Sequence, residues 1–288
     1  MEPPEYRDRY LDVGDQTIRY WDEGNGPVVL FVHGLAASVE FWQYNVGAVA
    51  SRYRVVALDL LGFGRSDKKI EEFSLAYAAR FMLEFLNALD IQHASLVGNS
   101  LGGLVCLQTA VSCPLRVGRL VLVDPAGFGR ELNPLLRLWS IPAVGKAVFW
   151  LYQLLFARLR PWVFPGSHSI SRGWLARTAE VLRTPGVREN AIKVARAGVT
   201  LCGQREELFC DLHEQLGAMT VPTLIIWGDG DPVVPLKHAY IARSLIPNSE
   251  VRIMTGCGHL PQLERPEEFN RLALDFLDSG PRAGPTIE

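Results

Sequence analysis

The chain reads as an α/β fold in which a mostly parallel, eight-stranded sheet is flanked by helices and interrupted by a helical cap insertion. Three observations lead there. Short runs rich in Val, Ile and Leu end repeatedly at Gly, Asp or His. Segments of helical periodicity lie between several of them. One long stretch then breaks this rhythm with large apolar side chains.

The apolar runs span 28–32, 54–59, 94–97, 119–124, 223–227 and 250–254. They read as strands buried on both faces of a parallel sheet. Ahead of them, 10–13 and 17–22 flank Gly14-Asp15, a dipeptide suited to a tight turn, so the sheet is expected to start with an antiparallel pair. Within 74–89, Leu75, Ala78, Ala79, Met82, Leu83, Leu86 and Leu89 share one helical face. From Phe128 to Met219 the strands stop and Leu135, Trp139, Phe149, Tyr152, Trp162 and Trp174 appear. These features divide the chain into a core of 1–127 and 220–288 and a helical cap of 128–219. Function is expected between them.

Composition excludes several classes. With 48% hydrophobic and 21% charged residues and a net charge of -2, the chain has ample core and no positive field for nucleic acid. Its five cysteines are odd in number and lack CxxC spacing, so neither a disulfide framework nor a metal site is expected. The first ten residues lack a secretory apolar stretch, which makes a cytoplasmic location the expectation. The most apolar run, 147–157, is far below the roughly 20 residues of a membrane span.

The chemistry starts at Gly98-Asn99-Ser100-Leu101-Gly102, a Gly-x-Ser-x-Gly element directly after a strand and before the apolar segment 104–111. A strand turning straight into a helix puts the turn residue in strained geometry, and the flanking glycines relieve the crowding. Ser100 is thereby pushed out at a helix N-terminus as a candidate nucleophile, and a serine needs a base. Of six histidines, His259 sits in a Gly-rich loop after the last strand, while His93, His168, His213 and His238 read as surface residues. Three aspartates compete to orient His259: Asp231 in a Pro-stiffened loop, which the Ser, Asp, His order favours, Asp124 at a strand end, and Asp229 beside Asp231. Oxyanion donors are expected from the backbone N–H groups of Leu101 and Leu35, with Gly34 admitting close approach. His33 reads as an orienting, hydrogen-bonded residue, and the Asp59–Asp67 loop as structural.

These residues resemble the α/β-hydrolase superfamily, in its capped, cofactor-free branch of esterases and carbon–carbon bond hydrolases. The shared motifs are the serine elbow, His33-Gly34, the loop from Asp59 to Asp67, Trp227-Gly228 through Val234-Pro235, and Gly258-His259. The resemblance implies no cofactor. Dehalogenases and epoxide hydrolases of this fold use an aspartate nucleophile where this chain has Ser100. Asn99 is similar to the Gly-Asn-Ser elbow of hydrolases that split meta-cleavage products of aromatic degradation, whose cap supplies an arginine for the substrate carboxylate; Arg177 resembles it in local context. The chain departs from that group at Leu260, where a tryptophan is usual, and in its shorter Gly run at the oxyanion loop.

Taken together, the expected activity is hydrolysis of a small hydrophobic ester by a Ser-His-Asp triad, with Gly34, Asn99, Arg177 and Leu260 as substrate-pocket candidates. Carbon–carbon hydrolysis of a dienoate is the alternative, and a non-catalytic ligand receptor on the same fold is a third reading. A homodimer is compatible with the sequence.

Overall fold

Alternating side-chain direction along a strand means that a run apolar at every position must be covered from both sides, and the sheet is built that way. A computed structural model describes residues 4–70, 72–163 and 171–279. His168, the side chain of Trp162 and the tail beyond 279 lie outside the described residues. The strands are β1 (Arg9–Val13), β2 (Gln16–Glu23), β3 (Val28–Val32), β4 (Arg54–Leu58), β5 (Ala94–Asn99), β6 (Val117–Val123), β7 (Val199–Thr200), β8 (Gly203–Gln204), β9 (Thr223–Gly228) and β10 (Ser249–Met254). Eight of them form one sheet in the order β1-β2-β4-β3-β5-β6-β9-β10, and β7 pairs only with β8. The β1/β2 and β2/β4 contacts are antiparallel and the rest of the large sheet is parallel. Gly14, at φ 63°, makes the turn between β1 and β2.

Leu30, Val32, Val56, Leu58, Leu96 and Leu120 enter one apolar layer, and their neighbours Val29, Phe31, Val55, Ala57, Val97 and Val121 enter the other. On the second side α1 (Val46–Ala50) contributes Val46 and Val49. The first side is covered by α2 (Leu75–Ala88), whose N-terminus is capped by Ser74 Oγ accepting from Tyr77 N–H, and by α3 (Leu101–Ser112), which is buried almost all round.

The 128–219 segment carries α4 (Pro134–Arg137), α5 (Pro142–Val163), α6 (Arg172–Leu182) and α7 (Val187–Gly198), with α5 packed on both α6 and α7. The last helix of the segment, α8 (Cys210–Leu216), instead lies against α3 and buries Leu212 and Leu216 in the core. Thereafter α9 (Lys237–Leu245), α10 (Pro261–Glu264) and α11 (Pro266–Asp278) complete the core, α11 closing the second face with Phe269, Ala273 and Phe276. Among the described residues, no helix is long and apolar enough to cross a membrane.

Candidate active site

The serine elbow is a point of backbone strain made possible by three close approaches. Ser100 caps α3 at φ 55°, ψ -119°, a conformation that costs a non-glycine residue roughly 1–3 kcal/mol. A Cβ on Gly98 would stand 2.5 Å from the Gly102 carbonyl oxygen, and one on Gly102 would stand 2.4 Å from the carbonyl oxygens of Val32 and His33. The second glycine therefore lets α3 pass the end of β3, rather than only clearing the first. Gly34 is crowded in the same way, since a Cβ there would lie 3.1 Å from Ser100 Cβ.

The loop after β3 is held from below by His33. Leu60 N–H donates to His33 Nε2 at 2.9 Å, so the ring proton sits on Nδ1 and is donated to the Gly34 carbonyl at 2.8 Å. Full burial pushes His33 down to about 4, which keeps it neutral. Above it, Ala37 N–H donates to the Gly34 carbonyl and Ala36 takes φ 54°, so Leu35 sits at the crest of a tight turn and lines the cavity described below. Leu101 is the first residue of α3, where backbone N–H groups have no intrahelical acceptor, while its side chain turns into a separate apolar hollow with Phe63 and Phe81. Asp59 accepts from Val39 N–H, Arg65 N–H and Arg19, which ties its loop to the fold as a structural element.

The three candidate aspartates part company here. Asp231 Oδ2 pairs with His259 Nδ1 at 2.8 Å, and its Oδ1 accepts from the N–H groups of Val233 and Val234 at 2.7 and 3.1 Å. Asp229 is exposed and accepts from Gly256 N–H at 2.7 Å, holding the base of the histidine loop. Asp124 is buried behind Asp231 and accepts from Gly228 N–H at 2.9 Å. The histidine loop has two further anchors that local sequence pattern did not single out for this work. The Glu264 carboxylate accepts from Gly258 N–H and Leu260 N–H on either side of His259, and Asn99 Nδ2 donates to the His259 and Val123 carbonyls at 3.2 and 3.1 Å. Gly228 permits this packing, because a Cβ there would stand 2.0 Å from the Gly258 carbonyl oxygen.

Ser100, His259, Asn99, Gly34, Leu35 and Leu260 line one cavity of about 430 Å³, in the usual range for a small-molecule site. Its opposite wall comes from the cap: Leu135, Leu136, Trp139, Val148, Leu151 and Tyr152. Asn133 and Tyr152 add neutral polar groups, and among the described lining residues there is no Lys, Arg, Asp or Glu. Arg177, expected at the pocket, is not brought there. It lies on α6, where its guanidinium donates to Gln43 Oε1 at 3.2 Å and stands 3.7 Å from Glu5.

Two of the histidines expected at the surface are packed instead. His238 is fully buried with Nε2 3.0 Å from Glu131, and His213 is bound to the Gly127 carbonyl at 2.6 Å; His93 is exposed as expected. Their partners come from distant segments, which no local pattern announces. The start of the 128–219 segment is fastened to the acid loop by the same means, as Asn133 donates from its backbone to the Val233 carbonyl and from Nδ2 to the Pro232 carbonyl.

Comparison with known proteins bears on the same region. A family model for the alpha/beta hydrolase fold matches residues 27–266. The 2-hydroxy-6-oxo-6-phenylhexa-2,4-dienoate hydrolase of Burkholderia cepacia is 34% identical over 272 residues, 90% of this chain and 90% of its own. Among solved structures, a membrane phospholipase A superposes with a TM-score of 0.79 at 27% identity, covering 95% of this chain and 86% of that one. The carboxylesterase CesB of Bacillus subtilis superposes with a TM-score of 0.77 at 24% identity, covering 96% and 93%, and shares the fold. The chain is a hydrolase of this architecture and belongs to the α/β-hydrolase fold family.

Proposed function

We propose that the protein hydrolyses carboxylic esters bearing an apolar acyl or aromatic group, with Ser100 as nucleophile, His259 as proton carrier and Asp231 as the carboxylate that orients His259. The observation that carries this reading is the cavity: Ser100 and His259 open into a space walled by apolar side chains and neutral polar groups. A charged substrate group would be desolvated there without an ionic partner among the described residues, whereas an ester is neutral.

In this reading Ser100 Oγ attacks the ester carbonyl carbon while its proton passes to His259 Nε2, the ring nitrogen not engaged with Asp231. The charge that develops on the carbonyl oxygen is taken by the N–H groups of Leu35 and Leu101, each such donor typically contributing about 10²–10³ in rate. The ester bond then breaks, His259 returns the proton to the departing alkoxide, and an acyl-Ser100 remains. Water attacks this acyl group, giving its proton to His259, and the acid leaves as Ser100 Oγ is reprotonated. Turnover of a p-nitrophenyl ester series of increasing chain length tests the proposal. Ser100→Ala is expected to lower kcat by about 10⁶-fold, and retention of turnover in that variant removes Ser100 from the chemistry.

A second reading, hydrolysis of a carbon–carbon bond in a dienoate, is supported by the Gly-Asn-Ser elbow at 98–100 and by the relationship to the Burkholderia enzyme. The absence of Arg177 from the described cavity lining weighs against it. Bleaching of a dienoate substrate at a rate comparable to ester turnover would reverse the ranking.

A further inference from the structure

Behind the proposed triad stands a second aspartate whose hydrogen bonding does not suit an ion. Asp124 follows the last residue of β6 at φ 43° and is fully buried. Its Oδ1 accepts from Gly228 N–H, but its Oδ2 is buried and meets no donor among the described residues. An ionised carboxylate in that setting is expensive, because one oxygen has lost water without replacement.

What Oδ2 does have nearby is another carboxylate. Asp124, Asp231 and His259 each offer one polar atom, and these lie within 4.8 Å of one another. Two buried carboxyl groups in contact do not both ionise, so one of them keeps a proton. The distribution of donors decides which. Asp231 receives two backbone N–H groups on one oxygen and His259 on the other. Asp124 receives a single backbone N–H. The charge therefore rests on Asp231 and the proton on Asp124. Burial, with the nearby charges of Asp231 and of Glu264 on α10, pushes Asp124 well above the usual carboxylate range.

We infer that Asp124 is a positioning residue, held as the neutral acid, whose Oδ2–H donates to the Asp231 carboxylate and so makes the triad a four-membered hydrogen-bonded array. The inference rests on the reading of Ser100, His259 and Asp231 given above. The donated hydrogen bond fixes Asp231 and spreads part of its charge. That weakens the pull of Asp231 on an imidazolium at His259.

Two variants separate this from a merely structural role. Asp124→Asn keeps a neutral donor for Asp231 and an acceptor for Gly228 N–H, and its acid limb in the pH profile of kcat/KM is expected to coincide with that of the native protein. Asp124→Ala removes the donor, and its acid limb is expected to move up by about one pH unit, the effect of losing one hydrogen bond to a charged group. A downward move of the limb in Asp124→Asn overturns the inference, because it means that a negative charge beside His259 has been lost. Infrared difference spectra at neutral pH read the proton without using activity. A protonated-carboxyl band present in the native protein and missing from Asp124→Asn supports the inference, and its absence from the native protein overturns it. Full turnover by Asp231→Ala would sink the triad reading instead, while the infrared result still decides the state of Asp124.

Discussion

The two walls of the cavity are held by different physics. On the sheet side each loop is pinned through hydrogen bonds to its own backbone: the Asp231 loop by Val233 and Val234, the histidine loop by Glu264 and Asn99, and the turn at Gly34 by His33. On the cap side Trp139 packs on Phe149 and Tyr152 at ring separations of 4.8 and 5.8 Å, and Leu135 and Leu151 line the cavity while 65% and 47% exposed. A hydrogen bond fixes direction as well as distance, whereas one apolar contact replaces another at small cost. The sheet wall is thus suited to aligning reacting atoms, and the cap wall to setting what fits against them.

The largest effect expected of this division is at Asp231. Asp231→Asn keeps the shape of the loop but presents an amide to His259 Nδ1, which favours the wrong ring tautomer for taking the Ser100 proton. A fall of about 10⁴-fold in kcat/KM for esters is expected, with secondary structure and thermal midpoint close to native. A fall below tenfold would mean that the alignment of the sheet wall contributes little to turnover.

The same wall carries a pH-dependent stability set by His33. His33 is neutral and buried at a value of about 4, against 6.5 for the free side chain. In the range between these values the unfolded chain binds a proton that the native state excludes, so stability falls as pH is lowered through it. The site's share of that loss is about 3 kcal/mol. Urea unfolding at pH 7 and pH 4.5 measures it: His33→Gln, which does not titrate, is expected to lose less stability than the native protein by roughly this amount.

The two walls were also unequally legible in the sequence. Gly98 and Gly102 mark the elbow because no Cβ fits there, and a steric demand of that kind leaves its signature at the residue itself; at Gly34 a Cβ would be tight against Ser100. The central strand runs, such as β3 and β9, were readable for a similar reason, being almost wholly apolar. Glu264 was harder, since an acid after Pro261 looks like any exposed helix start until the N–H groups of Gly258 and Leu260 are seen to fold over it. Asp124 read as a competing partner for His259 at a strand end; its burial and its nearness to Asp231 depend on β6 and β9 being neighbours. His238 owes its burial and its Glu131 partner to a contact 107 residues away. In the cap, the apolar character of 128–219 was evident, but the pairing of Arg177 on α6 with Gln43 depends on a contact 134 residues away in sequence, which periodicity does not announce.

Because the cap wall is made of replaceable contacts, changes there are expected to alter selectivity before they alter chemistry. Trp139 is nearly buried and lines the cavity. Trp139→Ala should enlarge the space opposite Ser100 and shift the ratio of kcat/KM between bulky and short acyl esters by about tenfold toward the bulky ones. The acid limb of the pH profile, which belongs to the sheet wall, should not move. A change in that limb would show that the two walls are coupled.

Arg177 gives the smallest expected effect and the finest discrimination between the two proposed reactions. Its guanidinium faces Gln43 and the exposed Glu5, partly in solvent, an arrangement worth under about 1 kcal/mol. Arg177→Ala should therefore leave ester kcat/KM within about twofold of native and shift unfolding by less than that energy. If the cap instead delivered Arg177 to a substrate carboxylate, the variant would lose a charge-assisted hydrogen bond, and KM for a dienoate would rise by roughly tenfold or more while ester KM stayed constant. Equal KM values for both substrates, in both proteins, would leave Arg177 as a brace between α6 and the first turns of the core, and would leave the cap wall without a cation of its own from that helix.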